Sequence, residues 1–177
     1  MDSLVNQENE YLANILRLRE VKAEQILTPR SVIHSLDASN TIIEALSYEK
    51  SKQFTRIPVC ENDPDNIIGL VINRELLFGE REGGSDSNIS RFIKPITRVS
   101  DVLPVPQLLD MFIKRREHMF LVEDKYGQTA GIVTLEDAIE TMLGREILDE
   151  TDTIEDLQKF SKGIYRARLR KSKDKKS

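Results

Sequence analysis

Arg56-Ile-Pro-Val-Cys60, a polar turn, Ile67-Ile-Gly-Leu-Val-Ile72 and Asn73-Arg-Glu-Leu-Leu77 make up one block of the chain. His118-Met-Phe-Leu-Val122, Asp124-Lys-Tyr-Gly127, Ala130-Gly-Ile-Val133 and Thr134-Leu-Glu-Asp-Ala-Ile139 make up a second block in the same order. Gly69 and Gly131 superpose at an offset of 62, and the alignment runs from residue 56 to residue 77 without a gap. Short β-branched runs flanking Asp/Asn/Gly clusters predict strand, turn, strand and then helix in each block. A helical pattern precedes each block, with Ile42, Ile43 and Leu46 on one apolar face and Leu108, Leu109, Phe112 and Ile113 on the other.

One repeat is therefore a β-α-β-β-α unit of about 60 residues. A unit of that size buries little surface alone, so the expected fold is α+β, with two units packed together. Gly79 to Asn88, with Gly83-Gly84-Ser85, is the expected exposed linker. Ahead of the repeats, Tyr11, Leu12, Ile15 and Leu16 lay an apolar stripe on a charged helix from about Glu8 to Arg19, which must bury against the repeats or a partner.

Composition narrows the function classes. The 177 residues are 39% apolar and 32% charged, enough for a core and inconsistent with global disorder. Tryptophan is absent and aromatics are 6%, which disfavours a broad stacking surface for nucleic-acid bases. Cys60 is the single cysteine, so an intramolecular disulfide or a Cys-cluster zinc site is impossible and a reducing compartment is the simpler reading. No apolar stretch approaches the roughly 18 residues of a membrane span, so the chain itself reads as soluble. From Lys162 to Ser177 the tail carries +7, leaving −11 on the rest. Such a tail can meet phosphates of lipid or nucleic acid, or simply be solvated.

Six motifs follow one another in order: Leu18-Arg-Glu-Val21, Ile26-Leu-Thr-Pro-Arg30, Phe54-Thr-Arg-Ile-Pro-Val59, Arg115-Arg-Glu-His118, Gly131-Ile-Val-Thr-Leu-Glu-Asp137 and Glu146-Ile-Leu-Asp-Glu-Thr-Asp152. The repeat resembles a tandem pair of CBS motifs, or Bateman module. The ordered set is similar to the cytosolic region of the CorC/CNNM family, linked to magnesium and cobalt transport. The resemblance covers about residues 8 to 158 and implies two CBS motifs packed sheet-to-sheet. The expected organisation is a linker helix over 1–20, motif 1 over 21–79, a linker over 80–93 and motif 2 over 94–150. An acidic segment and the basic tail follow over 151–177. The family's transmembrane domain would precede residue 1, so the expectation is an excised piece of a longer membrane protein, lying at its cytosolic face. A disc-like homodimer and the parent's membrane domain are the implied partners, with no nucleic acid.

Thr134 and Asp137 have the spacing of a capping box, and the same helix end is a natural phosphate site. The resemblance implies that Asp137 takes hydrogen bonds from both ribose hydroxyls and that Thr134 meets the phosphate. The first repeat has Ile72 and Glu75 at these positions, so one competent nucleotide site per chain is expected. The resemblance completes that site with the strand after Thr28-Pro-Arg30, around Val32 and His34, and with residues 54–58: Val32, Phe54, Ile57 and Pro58 against adenine, through backbone and apolar contacts, and Thr55 and Arg56 at the sugar-phosphate end. Core packing of Phe54 and Ile57 and a surface ion pair at Arg56 remain open alternatives. The ligand would be an adenine nucleotide, AMP, ADP or ATP, the last with or without Mg2+.

His34 and His118 are the only histidines, and neither has a metal-ligand spacing, so a structural or phosphate-facing role is expected and no metal residue is assigned. The carboxylates Asp149, Glu150, Asp152, Glu155 and Asp156 form a solvated acidic segment, with Mg2+ binding as the rival. Asp63 and Asp65 are expected as turn formers. No catalytic residue is assigned, because neither a reactive-cysteine motif nor a Ser/His/Asp signature is present. The reading is thus a ligand-sensing module, with a nucleotide-free interaction scaffold as its first rival. A surface binder acting through the tail is the second.

Overall fold

A computed structural model describes residues 18–143 together with Asn9, Ala13 and Leu16. The chain divides into two units, and the larger, Arg19–Ala138, carries both β-sheets. Of the smaller unit, Asn9, Ala13, Leu16 and Leu18 are helical. Tyr11, Leu12 and Ile15 of its stripe lie outside the described residues, as do the acidic segment and the basic tail.

The strands are β1 (Thr28–Pro29), β2 (Leu36–Asp37), β3 (Arg56–Glu61), β4 (Asp63–Ile72), β5 (Thr97–Ser100), β6 (Met119–Glu123) and β7 (Thr129–Thr134). The helices are α1 (Ile42–Ser47), α2 (Asn73–Gly79), α3 (Val105–Arg115) and α4 (Leu135–Leu143). The fold is α+β, with β2-α1-β3-β4-α2 as the first unit and β5-α3-β6-β7-α4 as the second. Each unit pairs its first strand parallel to its second and its second antiparallel to its third. Helix α1 starts at a complete capping box: Thr41 Oγ1 accepts from Glu44 N, and Glu44 answers at Thr41 N.

The sheets are ordered β2-β3-β4 and β1-β7-β6-β5. Strand β1 therefore precedes the first unit in sequence yet lies on the edge of the second, antiparallel to β7, with Thr28 opposite Ile132 and Pro29 opposite Gly131. The segment before it joins the same side: Ala23 N donates to Leu103 O at 2.9 Å, and Val105 N donates to Val21 O at 2.9 Å. The mirror exchange occurs at the linker, where Leu70 and Lys94 exchange two backbone hydrogen bonds at 2.9 and 2.8 Å. A Cβ on Gly131 would approach the Thr28 carbonyl closer than 3.0 Å, and one on Gly69 would do the same to Lys94. The repeated glycine thus makes room for an edge strand supplied by the other half of the chain.

Two apolar layers result. Leu36, Ile42, Ala45, Ile57, Val59, Val71, Leu76 and Ile89 form the core between the first sheet and its helices. Cys60, Ile67 and Leu70 from that sheet meet Met119, Leu121 and Ile132 from the second, which sets the sheets face to face. In the second unit Phe112 of α3 stacks on Phe120 of β6 with ring centroids 4.0 Å apart.

Three expectations change. The gap-free alignment slips by one residue in the middle strand. Val59 lies opposite Gly69, and Val122 lies opposite Gly131. Val59 to Val122 is thus an offset of 63, while Gly69 to Gly131 is 62. The first hairpin holds the extra residue around Asn62, at φ 64°, beside a register shift. A one-residue slip exchanges the two faces of a strand, so only the 63 offset puts Ile57 and Phe120 both on the helix side. Second, Ile43 and Ile113 do not belong to the buried faces: α1 buries Ile42 and Ala45, and α3 buries Val105, Leu108 and Phe112. Third, the stretch expected as an exposed linker from Gly79 to Asn88 is not exposed at its first residue. Helix α2 continues through a wider turn at Glu80–Gly84, and Gly79 is buried.

Candidate functional site

Strand β7 ends where helix α4 begins, and Thr134 and Asp137 close the joint. The Thr134 amide donates to Asp137 Oδ2 at 2.8 Å, and its hydroxyl donates to the same oxygen at 2.7 Å. The Asp137 amide lies 3.2 Å from Thr134 Oγ1. The strand end is pinned by Leu135 N donating to His118 O at 3.0 Å. A complete capping box therefore stands at the N-terminus of α4, so the helix-cap reading of these residues holds. Burial raises the Asp137 carboxyl above its ordinary pKa, the Thr134 bonds pull it down, and neighbouring Glu136 pushes it up. Burial thus disfavours the charged form of this carboxyl, while the two bonds from Thr134 favour it.

The equivalent joint of the first repeat is built differently. Ile72 precedes α2 without a side-chain cap. Glu75 pairs with Lys94 at 2.7 Å instead of folding back on the helix end. The first repeat thus fills the place of the Thr/Asp pair with an internal ion pair.

The residues expected to complete the site divide by burial. Val32 and Phe54 are exposed apolar side chains, at 64% and 45%. Thr55 is exposed and Arg56 half-buried at the start of β3. Pro58 is buried. Ile57 is wholly enclosed in the core of the first unit, so its side chain is spent on packing and only its backbone remains for a ligand. Among the described residues, no hydrogen bond or ring contact joins the Thr134–Asp137 pair to the Val32–Phe54 group.

The resemblance placed His34 with Phe54, but composition and spacing missed the ring packing around them and the parts played by Tyr48, Ser51 and Asn73. The Phe54 ring stacks on His34 at 6.2 Å, and Tyr48 meets the same imidazole edge-on at 6.0 Å. His34 Nε2 lies 3.0 Å from Ser51 Oγ, and Asn73 Nδ2 donates to Ser51 O at 2.9 Å. The sequence signal was the aromatic pair Tyr48 and Phe54 flanking a polar turn, which periodicity does not register. Among the described residues, two buried side-chain polar atoms have no hydrogen-bond partner, Asn73 Oδ1 and His118 Nδ1.

At the hairpin tips a cavity of about 370 Å3 is lined by polar groups, including Arg30, Asp65, Arg98 and Thr129. Arg30 pairs with Asp65 at 2.7 Å, and Thr129 Oγ1 donates to Asp65 O at 2.8 Å. Arg98 pairs with Glu123 and donates to Ile67 O at 3.0 Å. Both arginines of the cavity are paired within the chain, and the Arg30–Asp65 and Thr129–Asp65 contacts latch β4 to the second half. Asp63 does form a turn, its Oδ1 accepting from Asp65 N at 2.9 Å. Among the described residues, no group of three or more His, Cys, Asp or Glu could hold a metal ion, and no helix is long and apolar enough to cross a membrane.

Two β-α-β-β-α units with exchanged edge strands, apposed sheets and a Thr/Asp pair at the last helix define a CBS pair. The CBS-domain family model matches residues 89–144. The chain is 39% identical over 166 residues to UPF0053 protein YhdP of Bacillus subtilis (strain 168), across 91% of this chain and 37% of that protein. It is 32% identical over 160 residues to DUF21 domain-containing protein At1g55930, chloroplastic, of Arabidopsis thaliana, across 89% of this chain and 24% of that one. The structure of the CBS domain of the bacterial CNNM/CorC family Mg2+ transporter in complex with ATP aligns with a TM-score of 0.74 and 31% identity. That alignment covers 78% of this chain and 99% of that one. This chain belongs to the CBS-domain family of the bacterial CNNM/CorC Mg2+ transporters. It spans 37% of the length of YhdP.

Proposed function

We propose that the chain is an adenine-nucleotide-sensing regulatory module of a CorC/CNNM-like magnesium or cobalt transport protein, without catalytic activity of its own. The observation that carries this reading is the Thr134–Asp137 pair at the N-terminus of α4. It stands in a family member whose relative was solved with ATP. A ribose diol can donate to the Asp137 carboxylate, and the amides of the helix end favour a phosphate. Val32, Phe54, Thr55, Arg56 and Pro58, with the Ile57 backbone, complete the site from the first repeat. AMP, ADP or ATP is the ligand, ATP with or without Mg2+, at one site per chain.

Regulation requires that the nucleotide bind one arrangement of the module more tightly than another. The module sits at the cytosolic face, acting on the membrane domain of the parent protein, and associates as a disc-like homodimer. A nucleotide-free scaffold is the second reading. It is favoured by apolar side chains left in solvent on two helices, Leu77 and Phe78 on α2 and Ile113 on α3.

Calorimetric titration with AMP, ADP and Mg-ATP tests the proposal. Saturable binding near one site per chain, lost in Asp137→Ala, is expected. Folded, nucleotide-free protein that gives no heat with any of the three would leave the scaffold reading in its place.

A further inference from the structure

Two large aromatic side chains, Tyr48 and Phe54, stand partly in solvent beside a single imidazole. The imidazole of His34 lies under Phe54 with 25° between the ring planes, while Tyr48 meets it at 71°. His34 is held in turn by Ser51, which is 1% exposed and sits in the 3-10 turn Glu49–Gln53. Asn73, the first residue of α2, binds the Ser51 carbonyl through its side chain and the Thr55 carbonyl through its amide, both at 2.9 Å. One network therefore fixes the attitude of the imidazole and ties α2 to the backbone beside Phe54. The outer parts of Phe54 and Tyr48 remain open. An aromatic ring held at a set angle and exposed on one side is suited to a flat partner, because offset or edge-on ring pairs gain beyond their area alone.

We propose that His34 is a positioning residue that holds Phe54, together with Tyr48, as a platform for the flat base of the nucleotide. This makes affinity depend on the protonation of the imidazole. The inference rests on the nucleotide reading above and adds the residue that orients the ring against which the base lies.

The sign of the pH dependence follows from the surroundings. Burial, and then the Lys50 ammonium, hold the His34 pKa below 6.5. Lys50 belongs to the same 3-10 turn, whose Glu49 and Lys52 pair with each other at 3.0 Å. Tyr48 and Phe54 pack on the other sides of the imidazole. A base seated on Phe54 and Tyr48 covers the imidazole further and raises the cost of its charged form. Affinity therefore falls as pH drops through the His34 pKa. A phosphate beside His34 would reverse the sign, since an anion favours imidazolium.

The test is calorimetric titration of the whole chain with AMP between about pH 8 and pH 5.5, beside His34→Phe and His34→Gln. Thermal unfolding of each variant establishes that it is folded. His34→Phe keeps the stacked ring without the proton and retains affinity within about threefold, while His34→Gln keeps an amide near Ser51 without the ring and loses about three- to tenfold. The phosphate's own ionisation near pH ~6 is common to all three proteins, so His34→Phe serves as its control. Relative to that control, wild-type affinity falls in acid. Affinity that rises in acid, or His34→Gln binding as tightly as wild type with the same pH profile, overturns the inference while leaving the nucleotide reading intact. No heat from AMP, ADP or Mg-ATP overturns both.

Discussion

Asp137 Oδ2 accepts two hydrogen bonds from Thr134, one from its amide at 2.8 Å and one from its hydroxyl at 2.7 Å. The pair is thus a helix cap in the free protein whatever it does with a ligand. Stability and binding can be separated by changing the charge while keeping the shape.

Asp137→Asn keeps an oxygen that can accept from the Thr134 amide and removes a carboxyl whose pKa burial has raised. A carboxyl raised in the folded state contributes stability that is fully present below its unfolded pKa and lost as pH rises through the folded value. At neutral pH the wild-type carboxylate therefore costs stability, and Asp137→Asn should melt at or above the wild-type temperature. As pH falls through the carboxyl range, wild type should regain ground on the variant. Thermal unfolding from pH 7 down to about pH 4 measures this. Asp137→Ala also loses the cap and should be less stable than Asp137→Asn by about 1 kcal/mol. Both should lose nucleotide binding.

Thr134→Val preserves side-chain shape but removes the hydroxyl, which both accepts from the Asp137 amide and donates to its carboxylate. The expected loss is about 1–2 kcal/mol in urea unfolding. With that bond gone the Asp137 carboxyl should titrate still higher, which carbon-detected NMR of the side chain would read.

Gly131→Ala places a methyl group against the Thr28 carbonyl, a backbone atom that cannot rotate away. Strand β1 would have to leave β7, and a loss of about 2–3 kcal/mol is expected. Gly69→Ala should behave alike through Lys94. Hydrogen exchange should show new opening at the exchanged backbone bonds, and unchanged protection there would count against the strand-exchange explanation of the repeated glycine.

The Arg30–Asp65 pair joins the two sheets but is half exposed on both sides. Asp65→Asn should therefore change stability by no more than about 1 kcal/mol, and the difference should shrink in high salt. A larger, salt-independent loss would mean that the hairpin latch carries more of the fold than its exposure suggests.

Much of this architecture was legible in the residues. The repeat follows from apolar runs broken by Asp, Asn and Gly, and those runs form β3-β4 and β6-β7. The Thr134–Asp137 cap follows from a four-residue spacing and needs nothing outside its own turn. Both depend on hydrogen bonds between neighbours in the chain, which residue order specifies directly.

Tertiary structure decided what depends on distant segments. That β1 leaves its own repeat for the edge of β7 is a competition between strand pairings of similar local chemistry, and the close approach at Gly131 settles it. The one-residue slip in β3 is invisible in an ungapped alignment because both offsets match apolar with apolar. Only the opposed faces of two cores reject the wrong one. Ile57 became core and Phe54 became surface although they lie three positions apart, because one falls on the helix side of β3 and the other precedes the strand. The meeting of His34, Tyr48, Ser51, Phe54 and Asn73 comes from three segments of the chain, around residue 34, residues 48–54 and residue 73, converging beside the first sheet. Local sequence specifies bonds within a turn; packing chooses which faces, edges and rings meet, since those energies are gained only once the chain has folded.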